Sequence, residues 1–272
     1  MVRARASLVL AWVTLKEGIR ERAFLGILVF ALLLLIASGV MADLSIGNIL
    51  KVTQDLGLST LTLMGLLLAF FMGTHLMAKD LDKRSIYMIL SKPISRGNYI
   101  FGKYGGLVAL VGLSMVLLTG IMLVTTFYFY KTARLYSLPH IAWGKLVLAS
   151  FYIFLEAILI LAVSIFFSSF TSSPLLALFF TLAVYLVGES TRQVVDILKS
   201  PLGKHTSPIL RALAKVAFYI FPDLSVLDLK TAAVHNLPLD YTNLLRSALY
   251  AFCYILVLLF AATLIFKGRE MK

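Results

Sequence analysis

Cysteine is all but absent: Cys253 is the only one in 272 residues, and it sits inside an apolar run. Neither a disulfide framework nor a Cys-based metal site is therefore available. Charge is scarce too. Only 14% of the residues are charged and 60% are hydrophobic, whereas soluble domains run near roughly 25% and 45–50%; the mean hydropathy is +0.94. A chain so composed cannot cover its apolar surface in water. Acids are the rarer charge, 13 Asp and Glu against 25 Lys and Arg. In a soluble protein that excess would suggest nucleic acid, but here it has to be read by position. The four histidines, His75, His140, His205 and His235, are scattered along the chain, which excludes a haem held between facing helices. No internal repeat is visible. The apolar runs show no alternation with polar residues, which excludes a membrane barrel in favour of helices.

What is present is a set of six long apolar runs, near 23–42, 57–78, 104–129, 146–170, 174–189 and 247–266. Each is on the scale of the roughly 20 residues that cross ~30 Å of hydrocarbon. The first follows an amphipathic basic segment and has no small-residue cleavage site after it, so it reads as an uncleaved span. The fifth is short, with Ser172-Ser173-Pro174 marking its start and a far end that could run past Glu189 towards Leu198. The predicted fold is all-α and polytopic, one membrane domain of six spans.

Lys and Arg orient it. Five precede the first span, six lie in 79–103 and three follow the last span, against four in the short loops opposite. The richer side is predicted to be cytoplasmic, together with both termini. Seven more fall in the long 190–246 segment, where charge governs translocation weakly. The basic excess thus becomes a topology signal and an attraction to anionic lipid, and nucleic acid is not an expected partner.

Three stretches do not span. Residues 1–22 put Leu8, Trp12, Leu15 and Ile19 on one helical face, with Arg5, Lys16, Glu17 and Arg20 elsewhere, as in a helix lying in the interface. The 190–246 stretch is expected outside the cytoplasm, with a helix from Ser207-Pro208 to Phe221, ended by Pro222. Residues 79–100 set the apolar run Ile86-Tyr87-Met88-Ile89-Leu90 between charged clusters and break at Pro93 and Gly97. Positive-inside charge explains the lysines and arginines. It does not explain the apolar middle, which needs lipid headgroups or a protein partner to lie on.

That last stretch carries a resemblance. Asp80 and Asp82, the Leu-containing short helix, Lys92-Pro93-Ile94-Ser95-Arg96 and Gly102-Lys103 resemble the type-2 permeases of ABC transporters, most closely the nitrous-oxide-reductase maturation permease group. Phe221-Pro222-Asp223 is similar to the family's extracellular proline-containing stretch. Asp80 and Asp82 stand where the family usually has Glu, and Arg84-Ser85 where it has Gly-Thr. The resemblance implies a permease subunit of an ATP-driven exporter in a bacterial inner membrane, with two permeases, identical or paralogous, and two separate ATPase subunits. It also implies that ATP and Mg²⁺ bind in the ATPase, with no cofactor in this chain. The docking surface would be a coupling helix, with Asp80, Asp82, Lys83, Arg84, Tyr87, Met88, Leu90, Lys92, Pro93 and Arg96 at the interface.

Other patterns compete for attention. Gly97-Asn98-Tyr99-Ile100-Phe101-Gly102-Lys103 fits the start of a phosphate loop, but Tyr104 stands where Ser or Thr would ligate Mg²⁺ and no strand precedes it. Asp80-Leu81-Asp82 could be a metal-holding pair of a membrane transferase acting on a lipid-linked substrate, and an ATP-independent scaffold is a further alternative. Glu156 is the one acid deep within a span, where a charge costs roughly 2.5–3.5 kcal/mol; Tyr152, Ser164 and Ser168 share its face at four-residue steps. Together they read either as a polar route lining or as a packing device. Gly65, Ala69 and Gly73 form a small-residue face, as do Gly102 and Gly106; each could be a dimer seam or an internal contact.

Overall fold

The computed structural model describes residues 2–44, 49–82, 96–132, 141–171, 173–199 and 220–268. The helices are α1 (Val2–Arg20), α2 (Arg22–Asp43), α3 (Ile49–Asp82), α4 (Arg96–Thr132), α5 (Trp143–Phe170), α6 (Pro174–Lys199), the one-turn α7 (Lys230–Val234) and α8 (Tyr241–Gly268), with a 3-10 turn at Ser225–Leu227. Among the described residues there is no strand. Six of the helices, α2 to α6 and α8, are long and apolar enough to cross a membrane. The protein is an all-α, multi-pass membrane protein.

Each spanning helix outruns its apolar run. Hydropathy marks the part that must shed water, while the backbone ladder continues wherever nothing breaks it. Thus α3 includes the polar Lys51, Thr53, Gln54 and Asp55, and α6 continues beyond Glu189 to Lys199, so the first ten residues of the expected 190–246 loop are helical. With 34 and 37 residues, α3 and α4 measure about 50 and 55 Å at 1.5 Å per residue. Both exceed the ~30 Å hydrocarbon layer and must tilt or project from it.

α3 and α5 form the buried centre, with α2 and α4 beside α3 and α6 and α8 beside α5. Their contact is close because α3 lacks side chains where α5 comes nearest. A Cβ on Gly73 would collide with the Ser164 hydroxyl, and one on Gly65 would lie 3.1 Å from the Ala157 Cβ; Ala69 between them is fully buried. The outward faces of α2 and α8 hold large exposed apolar side chains, among them Leu33, Ile36, Phe252, Val257 and Phe260, a surface that hydrocarbon can cover and water cannot. At one end of the bundle Phe127, Tyr130 and Trp143 gather within ring contact, and Lys131 lies 4.9 Å over the Phe127 ring. Such an aromatic group with a cation suits the membrane–water boundary.

α1 does not stand apart from the bundle. The chain breaks for one residue at Glu21, which is extended (φ −70°, ψ 132°), and α1 lies along the first turns of α4. Gly102 and Gly106 make this seat. A Cβ on Gly106 would lie 2.5 Å from the Ala11 carbonyl oxygen, and one on Gly102 3.0 Å from that of Ser7. Facing this seat, α1 offers Ser7, Ala11, Thr14 and Gly18; its large residues Leu8, Val9, Trp12 and Val13 point away and are exposed. Glu17 pairs with the buried Lys103 at 3.6 Å, and Glu21 approaches His75 on α3 at 4.0 Å.

Candidate functional site

Glu156 stands about four turns from the C-terminal end of α5, and Glu189 about four turns from the start of α6. The two helices are antiparallel neighbours joined by the short 171–173 turn. Similar distances from that turn, each about 20 Å at 1.5 Å per residue, place both acids at one height along the helix pair. Glu156 is 5% exposed and makes no hydrogen bond to any described residue. Among the described residues, the charged groups that act on it are Glu189, Lys230 and Asp228.

Lys230 and Asp228 reach this depth because the chain after Ile220 turns back into the bundle. Leu224 and Leu227 are fully buried, and the 3-10 turn and α7 rest on α3, α5 and α6. Gly188 admits the segment. The Leu224 N–H donates to the Gly188 carbonyl at 3.3 Å, and a Cβ at Gly188 would come 2.5 Å from the Pro222 carbonyl oxygen. Non-helical backbone at this depth is tolerable only inside protein or against a wet cavity. Its polar groups are met accordingly: the Asp223 N–H donates to the Tyr250 hydroxyl at 2.9 Å. Tyr254 Oη donates to the Ile220 carbonyl at 2.7 Å. At the far end Lys145 Nζ donates to Asn236 Oδ1 at 2.6 Å and to the Leu237 carbonyl at 2.7 Å; Asn236 takes the left-handed conformation (φ 52°) that turns the chain there.

The predicted polar line on α5 divides into separate roles. Tyr152 is buried and its hydroxyl donates to the Leu244 carbonyl at 2.5 Å, tying α5 to the start of α8. Ser164 lies against Gly73, and neither its hydroxyl nor that of Ser168 has a hydrogen-bond partner among the described residues. Glu156 alone of the four faces other charges. Gly73 is covered within the chain by α5, Gly65 by α5 together with Met115 of α4, and the Gly102–Gly106 face by α1.

Of the residues predicted at the ATPase interface, Lys83, Arg84, Tyr87, Met88, Leu90, Lys92 and Pro93 lie outside the described residues. Asp80 and Asp82 close α3, and Arg96 opens α4, so the helices on either side lead straight into this stretch. The expected helix from Ser207-Pro208 to Phe221 lies outside the described residues as far as 219; at its end Ile220 is helical and Phe221 already forms a bend. Gly97–Lys103, the partial phosphate-loop pattern, is helical throughout. Its parts have other tasks: Gly102 seats α1, Lys103 meets Glu17, and Tyr104 Oη donates to the Ile158 carbonyl at 3.1 Å. Among the described residues no three His, Cys, Asp or Glu side chains are grouped to hold a metal ion.

Sequence reasoning missed Glu189, Asp228 and Lys230 as partners of Glu156. Glu189 looked like the end of a short span. One signal was available, since Tyr185 and Glu189 are four apart and therefore share a helical face. Nothing local could announce that 221–237 folds back into the bundle.

The protein-family model described as ABC-2 family transporter protein matches residues 8–271. The match is to the family as a whole and does not distinguish the nitrous-oxide-reductase maturation group within it. A search of the curated proteins gives no match.

Proposed function

Because this chain belongs to the ABC-2 family of transporter proteins, it is the membrane component of an ABC transporter, and we propose that it serves as the permease of an ATP-driven exporter. Membrane components of this family work with ATPase subunits. The proposed assembly has two permeases, identical or paralogous, and two ATPases, in a bacterial inner membrane with both termini of this chain in the cytoplasm. ATP and Mg²⁺ belong to the ATPase. Residues 80–96 are the proposed coupling helix, with Tyr87, Met88 and Leu90 as apolar anchors and Asp80, Asp82, Lys83, Arg84, Lys92, Pro93 and Arg96 around them.

The observation that carries the reading is the family match over residues 8–271, and the buried Glu156 in the middle of α5 adds a candidate residue for the route. A carboxylate at that depth costs roughly 2.5–3.5 kcal/mol and is a functional residue by default. Motion reaches it along a physical route. α3 and α4 flank the coupling segment, and α3 packs on α5, so a shift of the segment would act on the helix that bears Glu156. The test is co-expression with an ATP-binding-cassette ATPase. Co-purification and permease-dependent ATP hydrolysis, both lost when 83–95 is replaced by a flexible linker, are the expected results. An ATPase that neither binds nor responds would sink the reading.

A further inference from the structure

We propose that the groove between α4 and α5 binds one acyl chain of an anionic phospholipid, with the lipid headgroup at Lys131. Both walls are membrane-spanning helices. The groove has a volume of about 530 Å³ and runs from Gly112 to Leu123 on α4 and from Val147 to Phe154 on α5. Glycine opens it, since a Cβ on Gly120 would meet nothing within 4 Å. Met115 and Ser150 are buried beneath it, and the Ser150 hydroxyl donates to the Leu146 carbonyl of its own helix, so the lining is apolar in character. The two helices touch at each end of the groove. At one end a Cβ on Gly112 would lie 3.4 Å from the Phe154 ring, and beyond the other the Phe127 and Trp143 rings are 6.3 Å apart.

Dimensions and charge decide the occupant. The stretch from Gly112 to Leu123 covers about 16 Å at 1.5 Å per residue, close to one leaflet's half of the ~30 Å hydrocarbon layer. Spread over that length, the volume gives a mean cross-section of about 33 Å², the scale of a single extended hydrocarbon chain. A helix of a second copy, 10–12 Å across, would need roughly 80 Å² or more. Apolar fit alone cannot select a lipid, because every chain in the bilayer is as apolar as the wall. The selective element lies at the rim. Val116, Gly120, Leu123, Phe127 and Lys131 follow one another at three- and four-residue steps, which puts them on one face of α4; Trp143, Val147 and Phe151 do the same on α5. The groove therefore leads to the aromatic group at the membrane boundary, where the exposed Lys131 lies over the Phe127 ring. A cation at that level attracts an anionic headgroup. This is the end at which 133–140 joins α4 to α5, opposite the end at which 83–95 joins α3 to α4.

The test uses the purified full chain in phosphatidylcholine nanodiscs containing phosphatidylglycerol with a photoactivatable diazirine on its acyl chain, and locates cross-links by peptide mass spectrometry. Saturable cross-linking to 112–123 and 147–154 is expected, with unlabelled phosphatidylglycerol competing about fivefold better than phosphatidylcholine. Lys131→Gln should remove that preference and keep the cross-links. Gly120→Leu or Val116→Phe, each of which fills the groove, should abolish them, and Val257→Phe on the outward face of α8 should change neither result. Size-exclusion profile and thermal midpoint identify any variant that has failed to fold. Labelling spread evenly over the outward faces of α2, α4 and α8 without competition would overturn the inference, as would an undiminished headgroup preference in folded Lys131→Gln. Copies of the chain joined by a disulfide through Val116→Cys, in a Cys253→Ser background, would put a second chain in the groove and overturn it too. The readout needs neither an ATPase nor transport, so it is independent of the proposed function.

Discussion

At the scale of single residues, the glycines and the buried acid set the most demanding constraints. Glycines that admit a neighbour differ in what a methyl group would meet. At Gly106 it would meet the Ala11 backbone carbonyl, and at Gly65 the flexible end of Met115. Backbone cannot step aside as a methionine can. Gly106→Ala is therefore expected to lower the thermal midpoint more than Gly65→Ala, with overpacking costs on the order of 1–3 kcal/mol at the rigid site. Equal midpoints for the two variants would show that α1 is not seated as described. Glu156 supplies the second prediction. Glu156→Gln keeps the shape and removes the charge, so ATP-driven transport should fall while ATPase co-purification persists. A drop in stability with normal transport would instead make Glu156 a packing group.

At the scale of elements, two pieces are held to the spanning helices by identifiable contacts. α1 rides on α4, where a Cβ at Gly105 would lie 3.8 Å from that of Ala11, close to the mean separation of about 3.8 Å in disulfides. In a Cys253→Ser background, Ala11→Cys with Gly105→Cys should cross-link readily under mild oxidation, read as a mobility shift reversed by reductant; failure to cross-link would mean that α1 leaves α4 in the membrane. The returning segment after Ile220 is the other piece. Its far end is clasped by Lys145 through Asn236 and Leu237. Lys145→Met should raise hydrogen exchange across 222–237 and leave α3 and α5 protected. Unchanged exchange would make the clasp incidental.

At the scale of the whole molecule, the proposals on orientation and coupling stand together. With Cys253 removed, a cysteine at position 204 should react with a membrane-impermeant reagent from outside intact cells, and one at position 92 should not; the reverse pattern would invert the molecule. Alanine at Tyr87, Met88 or Leu90 should each cost ~1–2 kcal/mol of association with the ATPase, roughly ten- to thirtyfold in affinity. A rim charge such as Arg96 should cost less, and its effect should shrink with salt.

The sequence by itself determined the class, the six spans and the presence of one acid at depth, because each follows from a local quantity. Apolar length measures the hydrocarbon to be crossed, and a charge inside such a run is conspicuous wherever the helix packs. Helix ends were less legible, since the ladder of α3 and α6 runs past the apolar stretch into polar residues. The tertiary structure decided everything that depends on one helix meeting another. It set Gly73 against α5, Gly65 against α5 and Met115 of α4, and the Gly102–Gly106 face against α1, a choice that a small-residue pattern leaves open because it permits close approach without naming who approaches. It also brought Glu189, Asp228 and Lys230 to Glu156 from segments 33 to 74 residues away in the chain. That meeting requires a stretch of polar backbone to re-enter the bundle beside Gly188, and its stability lies in long-range hydrogen bonds and buried leucines that no window of sequence contains.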